Sequence, residues 1–391
     1  MWVLHQLGRA GGLAFEMFWQ VLWPLALGFL LSAVVETLVS KQAISRVLGR
    51  DRASNVAAAA GLGAASSSCS YAAVAVARTL FRKGATLGNA IIFEFASTNL
   101  VFELGLVLLI LLGWQFLAGE LLGGLVMVVL LAVIFRYTLR KRLVDSARGQ
   151  ADRGLAGKME GHGEMDMSVT GGPLLRRAFS GRAYTSISQY FFMNIYSLWT
   201  DLVLGFLIAG ALGAWVPDSV WSKVFLTGHG GLSEVWGALV GPLVAVVSFV
   251  CSVGNVPLAA VLFHGGISFG GVIAFIFADL IIIPILNIYR KYYGRRVAVY
   301  LFVVSYLTMA ASGLIIGLFF NATGLSPTNR SVRVFDSGIS WDYNTFLNIA
   351  FLAGMAVLLI RFLRTGGPMM LKMMDAPKQH HAAAAGQHGA A

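Results

Sequence analysis

The chain has 391 residues, of which 57% are hydrophobic and only 12% are charged, and its mean hydropathy is +0.75. Soluble domains carry about 25% charged residues, so this much apolar surface does not fit a soluble core. The formal net charge is +11, but the basic residues lie between hydrophobic stretches, as membrane topology requires. We therefore predict an all-α polytopic membrane protein that contacts the lipid bilayer and does not bind nucleic acid.

Hydrophobic stretches follow one another along the chain, and nearly all of them reach the roughly 20 residues that a spanning helix needs. They lie at about 15–38, 55–81, 85–113, 116–138, 192–216, 235–263, 267–289, 297–320 and 345–363. The first is too long for the apolar core of a signal peptide and has no cleavage site. We interpret it as a membrane span.

Polar segments divide the chain into four regions. A Gly-rich segment with charges of both signs, 139–185, is predicted to be a flexible cytoplasmic linker. It separates a first membrane repeat, 1–138, from a second membrane repeat, 186–320. The rest, 321–391, is predicted to form an external loop, a final transmembrane helix and a disordered cytoplasmic tail of low complexity.

The two membrane regions show a weak internal repeat. The stretch Leu27–Val34 matches Leu204–Ala211 at an offset of 177 residues. After one five-residue insertion the offset becomes 182. The pairs matched at this offset are Cys69 with Cys251, Ser70 with Ser252, Phe81 with Phe263, Gly84 with Gly266, and Gly88 with Gly270. The two cysteines of the chain therefore occupy one position of the repeat.

The distribution of basic residues favours one topology. If every stretch crosses the membrane and the basic loop Arg136–Arg142 is cytoplasmic, three basic regions with four Lys or Arg each fall outside. If the two cysteine-bearing stretches enter and return on the same side, all twelve charges become cytoplasmic. The halves then have opposite orientations, which predicts inverted repeats, each with a broken or re-entrant helical hairpin, and about seven to nine transmembrane segments. Two kinked full spans are the alternative.

The predicted helix breaks carry the candidate substrate site. Serine, glycine and proline at these breaks oppose a continuous helix. Free thiols suit a soft, thiophilic ligand, whereas helix ends can hold an anion through backbone N–H groups. A small apolar core residue is the alternative role of each cysteine. The candidate substrate-binding residues are Cys69, Ser70, Cys251, Ser252, Asn255 and Pro257.

Ionisable groups inside a bilayer are costly and therefore point to function. Glu94 precedes Ser97 and Thr98 by three and four residues, so the three side chains share one helix face. Asp279 matches Ser97 at the 182-residue offset. A protonated acid bonded to a neighbouring helix is the alternative role. The candidate proton-coupling residues are Glu94, Asn99, Glu103 and Asp279.

Several other site classes have no support in the sequence. It contains no Walker A loop, zinc-protease motif or nucleophile elbow. The segment Met159–Met167 combines His, Glu, Asp and Met, but its spacing fits no fixed metal site. We therefore predict neither an enzyme nor a bound metal or other cofactor.

The two cysteine segments, each followed by a glycine-spaced helix, resemble the bacterial predicted-permease family that includes the organoarsenical efflux permeases. The resemblance runs from about Trp19 to Tyr306, with the linker as a variable insert. The second segment retains the Cys-Ser pair, Gly254 and Pro257. The first segment departs from the family pattern, since Ala75 stands where proline is typical and no second cysteine follows Cys69 by two residues. This departure concerns arsenical specificity more than transport.

The resemblance implies an inner-membrane permease, and in some members one that exports trivalent organoarsenicals through thiol contacts. With the buried carboxylates, it predicts proton-coupled alternating access around a site near the membrane midplane. Two alternatives stay open. One is a permease for an anion, a sulfur compound or a metal ion, and the other is a membrane subunit of a larger transport complex. The expected partners are a small solute and the bilayer, with a homo-oligomer or an accessory subunit as open alternatives.

Overall fold

The computed structural model of the protein describes residues 2–38, 47–50, 52–66, 70–151, 167–169, 173–216, 220, 223–226, 228–248, 252–327, 330, 341 and 343–375. All regular secondary structure in these residues is helical, which confirms the predicted all-α class. Cys69, Cys251 and the predicted disordered tail after Asp375 lie outside the described residues.

The described helices follow the order of the two sequence halves. The first half contains α1 (Trp2–Leu38), α2 (Ala53–Ser66), α3 (Ser70–Arg82), α4 (Leu87–Asn99), α5 (Phe102–Leu111), α6 (Trp114–Thr138) and α7 (Lys141–Ala151). The second half contains α8 (Leu174–Ala178), α9 (Gly181–Trp215), α10 (Gly231–Ser248), α11 (Ser252–His264), α12 (Phe269–Phe277), a 3-10 turn (Ala278–Ile281), α13 (Ile283–Tyr293) and α14 (Arg295–Ala322). Helices α15 (Tyr343–Arg364) and α16 (Gly367–Asp375) follow.

Five described stretches are long and apolar enough to cross a membrane, and a bent pair of helices makes a sixth if it counts as one span. The five are Val21–Leu38, Leu87–Leu111, Trp114–Thr138, Arg295–Ala322 and Tyr343–Arg364. The bent pair, Phe269–Ile281 and Ile283–Tyr293, has an angle of 42° between its parts. The count is lower than the seven to nine segments predicted, partly because the stretches 55–81 and 235–263 are each divided into two shorter helices.

The centre of the protein is formed by α4 and α12. Every residue of these two helices is buried. They begin at Leu87 and Phe269, which are 182 residues apart, and each begins after a hydroxyl residue that caps it. Thr86 accepts a hydrogen bond from the backbone N–H of Asn89, and Ser268 accepts one from that of Gly271. The sequence offset therefore corresponds to equivalent helix starts.

The residues before α2 and the residues after α3 lie side by side. The backbone N–H of Thr86 donates to the carbonyl of Leu48 at 3.1 Å. The side chain of Asn89 donates to the carbonyls of Leu48 and Arg50 at 3.0 and 2.8 Å. At the far end of α2, Ser32 of α1 donates to the carbonyl of Ser66 at 2.9 Å. This bond satisfies a carbonyl at a buried helix end.

Glycines allow α12 and α14 to pack closely. A Cβ atom on Gly270 would lie 2.5 Å from the carbonyl oxygen of Gly313, and one on Gly313 would lie 2.5 Å from that of Gly270. Small residues of this kind are typical of helix contacts in membranes, where close backbone approach improves packing. The glycine spacing after each cysteine segment therefore has a packing role in the second half.

The last long helix, α15, is attached to α1 by polar side chains. Asn348 donates to the carbonyl of Trp19 at 2.6 Å and accepts from the backbone N–H of Trp23 at 3.0 Å. Its amide thus lies between two backbone groups of α1 that are four residues apart. The indole of Trp23 donates to Asn344 at 2.6 Å. Buried polar contacts between helices fix their relative positions in an apolar environment.

The predicted flexible linker, 139–185, contains regular structure that the sequence did not indicate. Helix α7 lies within it, and α9 begins at its end. Ala147 and Ala151 are fully buried, and Arg78 donates two hydrogen bonds, of 3.2 and 2.8 Å, to the carbonyl of Ala151. Small alanines form the buried face of α7, so the segment lacks the large apolar residues from which a helix is recognised. The residues 152–166 lie outside the described part of the chain.

Candidate functional site

A buried hydrogen bond joins the two halves of the chain. Ser70, the first residue of α3, donates from Oγ to Oδ2 of Asp279 at 2.6 Å. Neither residue is exposed to solvent. A predicted substrate-binding residue of the first half thus contacts a predicted proton-coupling residue of the second half.

Asp279 is positioned by a break in the second central helix. After α12 ends at Phe277, the 3-10 turn carries Asp279, and the extended residue Ile282 leads into α13. Pro284 lies in the first turn of α13, where its missing N–H is tolerated, whereas in a continuous helix it would remove a hydrogen bond. The second carboxyl oxygen of Asp279, Oδ1, is buried and has no hydrogen-bond partner among the described residues. It is therefore an available acceptor.

Asn99 lies at the corresponding end of the first central helix. It is the last residue of α4, and its amide donates to the carbonyl of Phe95 at 3.2 Å and to Oγ1 of Thr98 at 3.0 Å. Its side chain also lies within hydrogen-bonding reach of the Asp279 carboxyl. Its Oδ1 has no partner among the described residues. Three of the predicted site residues, Ser70, Asn99 and Asp279, are therefore brought together at two helix breaks.

Glu94 forms a second buried contact between the halves. The hydroxyl of Tyr289, in α13, donates to Oε1 of Glu94, in α4, and both side chains are fully buried. Oε2 of Glu94 has no partner among the described residues. The Tyr289 ring lies 6.2 Å from the ring of Tyr293, measured between centroids.

A row of polar side chains continues from Tyr293 towards α7. The buried hydroxyl of Tyr293 has no partner among the described residues, and its ring packs against Tyr292 at 6.2 Å. The Arg78 guanidinium lies 4.6 Å from the centre of the Tyr292 ring and bonds to the end of α7. The sequence analysis missed these tyrosines because the basic residues around them indicated a loop. Their spacing at 289, 292 and 293 places them on one helix face, which was the available signal.

Two other buried acids occupy different surroundings. Glu103, in the first turn of α5, packs against α1, where a Cβ on Gly28 would collide with its side chain. Glu120, in α6, was missed by the sequence analysis. It is fully buried, and neither of its carboxyl oxygens has a hydrogen-bond partner among the described residues. A lone acid in an apolar 25-residue helix was the signal that could have identified it.

The remaining predicted substrate residues are only partly described. Asn255 and Pro257 are buried in α11. The side chain of Ser252, like the whole of Cys69 and Cys251, lies outside the described residues. In the described part of the chain, no group of three or more His, Cys, Asp or Glu residues could hold a metal ion. The assignment of these residues to a solute site stays a prediction.

Comparison with known proteins agrees with the resemblance drawn from the cysteine segments. A family model described as "Predicted permease" matches residues 6–318. The chain is 55% identical over 348 residues to "Putative permease Rv2963" of Mycobacterium tuberculosis (strain ATCC 25618 / H37Rv), which covers 88% of this chain and 86% of the relative. No solved structure matches the chain. The protein therefore belongs to the predicted-permease family and is a multi-pass helical membrane protein.

Proposed function

We propose that the protein is an inner-membrane secondary transporter that exports a small thiophilic solute, trivalent organoarsenicals first among the candidates, by proton-coupled alternating access. Membership of a permease family supports transport rather than catalysis. The observation that supports the mechanism most is the hydrogen bond between Ser70 and Asp279. Buried polar groups at broken helices are typical of the central sites of secondary transporters.

The proposed architecture is a pair of inverted repeats with re-entrant hairpins. Helices α2 and α3 have 14 and 13 residues, or about 20 Å each, which is less than the roughly 30 Å of a bilayer core. The bond between Thr86 and Leu48 holds the beginning of α2 beside the end of α3. These features support a segment that enters the membrane, turns and returns. The matched starts of α4 and α12 support the repeat.

The proposed solute site lies at the turn of each hairpin. Cys69 directly precedes Ser70 in the sequence, and Cys251 directly precedes Ser252. Thiolates are soft ligands, so a pair of them suits trivalent arsenic or another thiophilic centre. The neighbouring polar atoms of Asn99 and Asp279 would orient the solute and accept its polar groups.

Asp279 and Glu94 are the proposed proton carriers. An ionised Asp279 accepts a charge-assisted hydrogen bond from Ser70, and protonation would weaken that bond. Proton binding would thereby release the start of α3 from the second half of the protein. Tyr289 is bonded to Glu94 and lies next to Tyr293, so this row is the proposed route between the central carboxyls and the end of the protein that carries α7.

Uptake of trivalent methylarsenite into everted membrane vesicles tests the proposal. We expect accumulation that requires a proton gradient, is abolished by the double change Cys69→Ser and Cys251→Ser, and is strongly reduced by Asp279→Asn. No accumulation above control vesicles would contradict the arsenical substrate. Accumulation that is insensitive to the proton gradient and to Asp279→Asn would contradict proton coupling.

A further inference from the structure

The turn from α3 into α4 and the turn from α11 into α12 are built by the same hydrogen bonds. In the first, Ala85 N donates to Leu80 O at 3.0 Å and Gly84 N to Phe81 O at 3.2 Å. These two bonds form a Schellman motif, and Gly84 has the positive φ, 110°, that the motif requires. The second turn has the same two bonds between residues 182 positions later, at 3.1 and 3.2 Å, and φ is 111° at Gly266. The two helices therefore end in equivalent motifs.

Arg148 binds the first of these turns from outside the hairpin. It lies in α7 and donates from Nη1 to the carbonyl of Phe81 at 3.2 Å and from Nη2 to that of Ala85 at 3.5 Å. Its guanidinium carbon lies 4.3 Å from the centre of the Phe81 ring. A cation at the C-terminal end of a helix also interacts favourably with the helix dipole.

Arg330 makes the equivalent contacts at the second turn. It donates from Nη1 to the carbonyls of Phe263 and Ile267 at 2.9 and 3.0 Å. Its guanidinium carbon lies 5.1 Å from the centre of the Phe263 ring. Arg330 is also 182 residues after Arg148, so the donor, both acceptors and the ring are all displaced along the chain by one interval.

The two arginines lie at opposite ends of α14. Near Arg148, the side chain of Gln150 donates to the carbonyl of Lys291 at 3.0 Å, just before α14 begins. Arg330 follows the end of α14 at Ala322. The helix has 28 residues and is therefore about 42 Å long, enough to cross a bilayer. Each membrane face thus has one arginine that binds the base of one cysteine-bearing segment.

We propose that Arg148 and Arg330 are paired positioning residues that hold the two cysteine-bearing segments closed, one at each membrane face, and that alternating access requires their release in turn. This inference rests on the proposed transport function. Each arginine ties a hairpin to the chain that follows a long helix, α6 or α14, so separation of hairpin and helix must break these bonds. Both side chains are partly exposed, so water can replace the carbonyl partners when a bond opens.

Side-specific thiol labelling tests the inference without any substrate. Ala77 and Ala259 are fully buried alanines in α3 and α11 and are matched at the 182-residue offset. Each is changed singly to cysteine in a chain that carries Cys69→Ser and Cys251→Ser. Right-side-out and everted vesicles are then treated with a membrane-impermeant maleimide. The rate of modification reports opening of each hairpin from each face.

We expect Arg148→Ala to increase modification of the Ala77→Cys reporter about tenfold from the α7 face alone, since about one to two hydrogen bonds are lost. Arg330→Ala is expected to do the same for the Ala259→Cys reporter from the opposite face. Arg142→Ala, in the exposed part of α7, and Lys223→Ala, also exposed, are the matched controls and should change neither rate.

The lysine variants separate positioning from folding. Lys keeps the charge but lacks the planar fork, so Arg148→Lys and Arg330→Lys are expected to give an increase of about threefold, also where an alanine variant fails to accumulate. Equal changes at both reporters, or no change in folded variants, would overturn the inference. Failure of methylarsenite transport with normal labelling would count against the proposed solute and leave the paired arginines in place.

Discussion

The hydroxyl of Tyr289 donates a hydrogen bond to the carboxyl group of Glu94, and both groups are completely buried. The two residues belong to different halves of the chain and to the two broken helices at its centre. In a low-dielectric interior such a bond is strong, and the loss of either partner leaves the other group without solvation. The pair therefore contributes both to the contact between the halves and to the environment of a proposed proton carrier.

Tyr289→Phe is predicted to destabilise the protein and to slow proton-driven transport. The change removes the donor to Glu94 while retaining the ring, and an unsatisfied buried acceptor costs about 1–3 kcal/mol. Thermal unfolding in detergent and uptake into vesicles measure the two effects. Tyr306→Phe is the control, because the hydroxyl of Tyr306 also makes one hydrogen bond, at 3.0 Å to the carbonyl of Leu239, but at an exposed position. Equal effects of both changes would contradict the special role of Tyr289.

Ser70 and Asp279 are predicted to be energetically coupled. A double-mutant cycle with Ser70→Ala and Asp279→Asn is expected to give a coupling energy of about 1–3 kcal/mol in the free energy of unfolding, as for a hydrogen bond to a charged group. Ser97→Ala provides the comparison, since Ser97 is the repeat counterpart of Asp279 and donates to the carbonyl of Glu94 instead. Additive effects of Ser70→Ala and Asp279→Asn would show that their bond carries no net energy.

The hydrophobic pattern predicted the helical class and the places where the central helices break, because length and the positions of serine, glycine and proline encode both locally. It also predicted that Ser70, Asn99 and Asp279 belong to one site. The bond that joins Ser70 to Asp279 spans 209 residues of sequence, and no local pattern specifies such a partner. Glu120 was overlooked for a related reason, since burial on all sides depends on the neighbouring helices.

The arginines at the hairpin bases show a different limit. Phe81, Gly84 and their counterparts were matched from the sequence, because the turn needs glycine and an apolar neighbour. Arg148 and Arg330 lie beyond the matched membrane segments, in polar regions where a single arginine gives no periodic signal. Only the positions of the carbonyl groups in space show that both arginines bind equivalent atoms.

Glu120→Gln is predicted to leave the protein folded and to raise its melting temperature. The carboxyl group is fully buried without a described hydrogen-bond partner, and an amide of the same shape avoids the cost of burying a charge. Thermal unfolding of the purified variant measures the change, and Glu16→Gln, at an exposed position of α1, is the control. A lower melting temperature for Glu120→Gln would show that the carboxylate has a stabilising partner.

Gly270→Ala is predicted to destabilise the contact between α12 and α14. The added methyl group would lie 2.5 Å from the carbonyl oxygen of Gly313, so the two backbones must separate, and such overpacking costs about 1–3 kcal/mol. Gly61→Ala is the matched control, because Gly61 is an exposed glycine of α2 with no atom within 4 Å of the added Cβ. There alanine should stabilise the helix by up to about 1 kcal/mol. Opposite shifts of the melting temperature would thus confirm close backbone packing at Gly270, whereas equal shifts would contradict it.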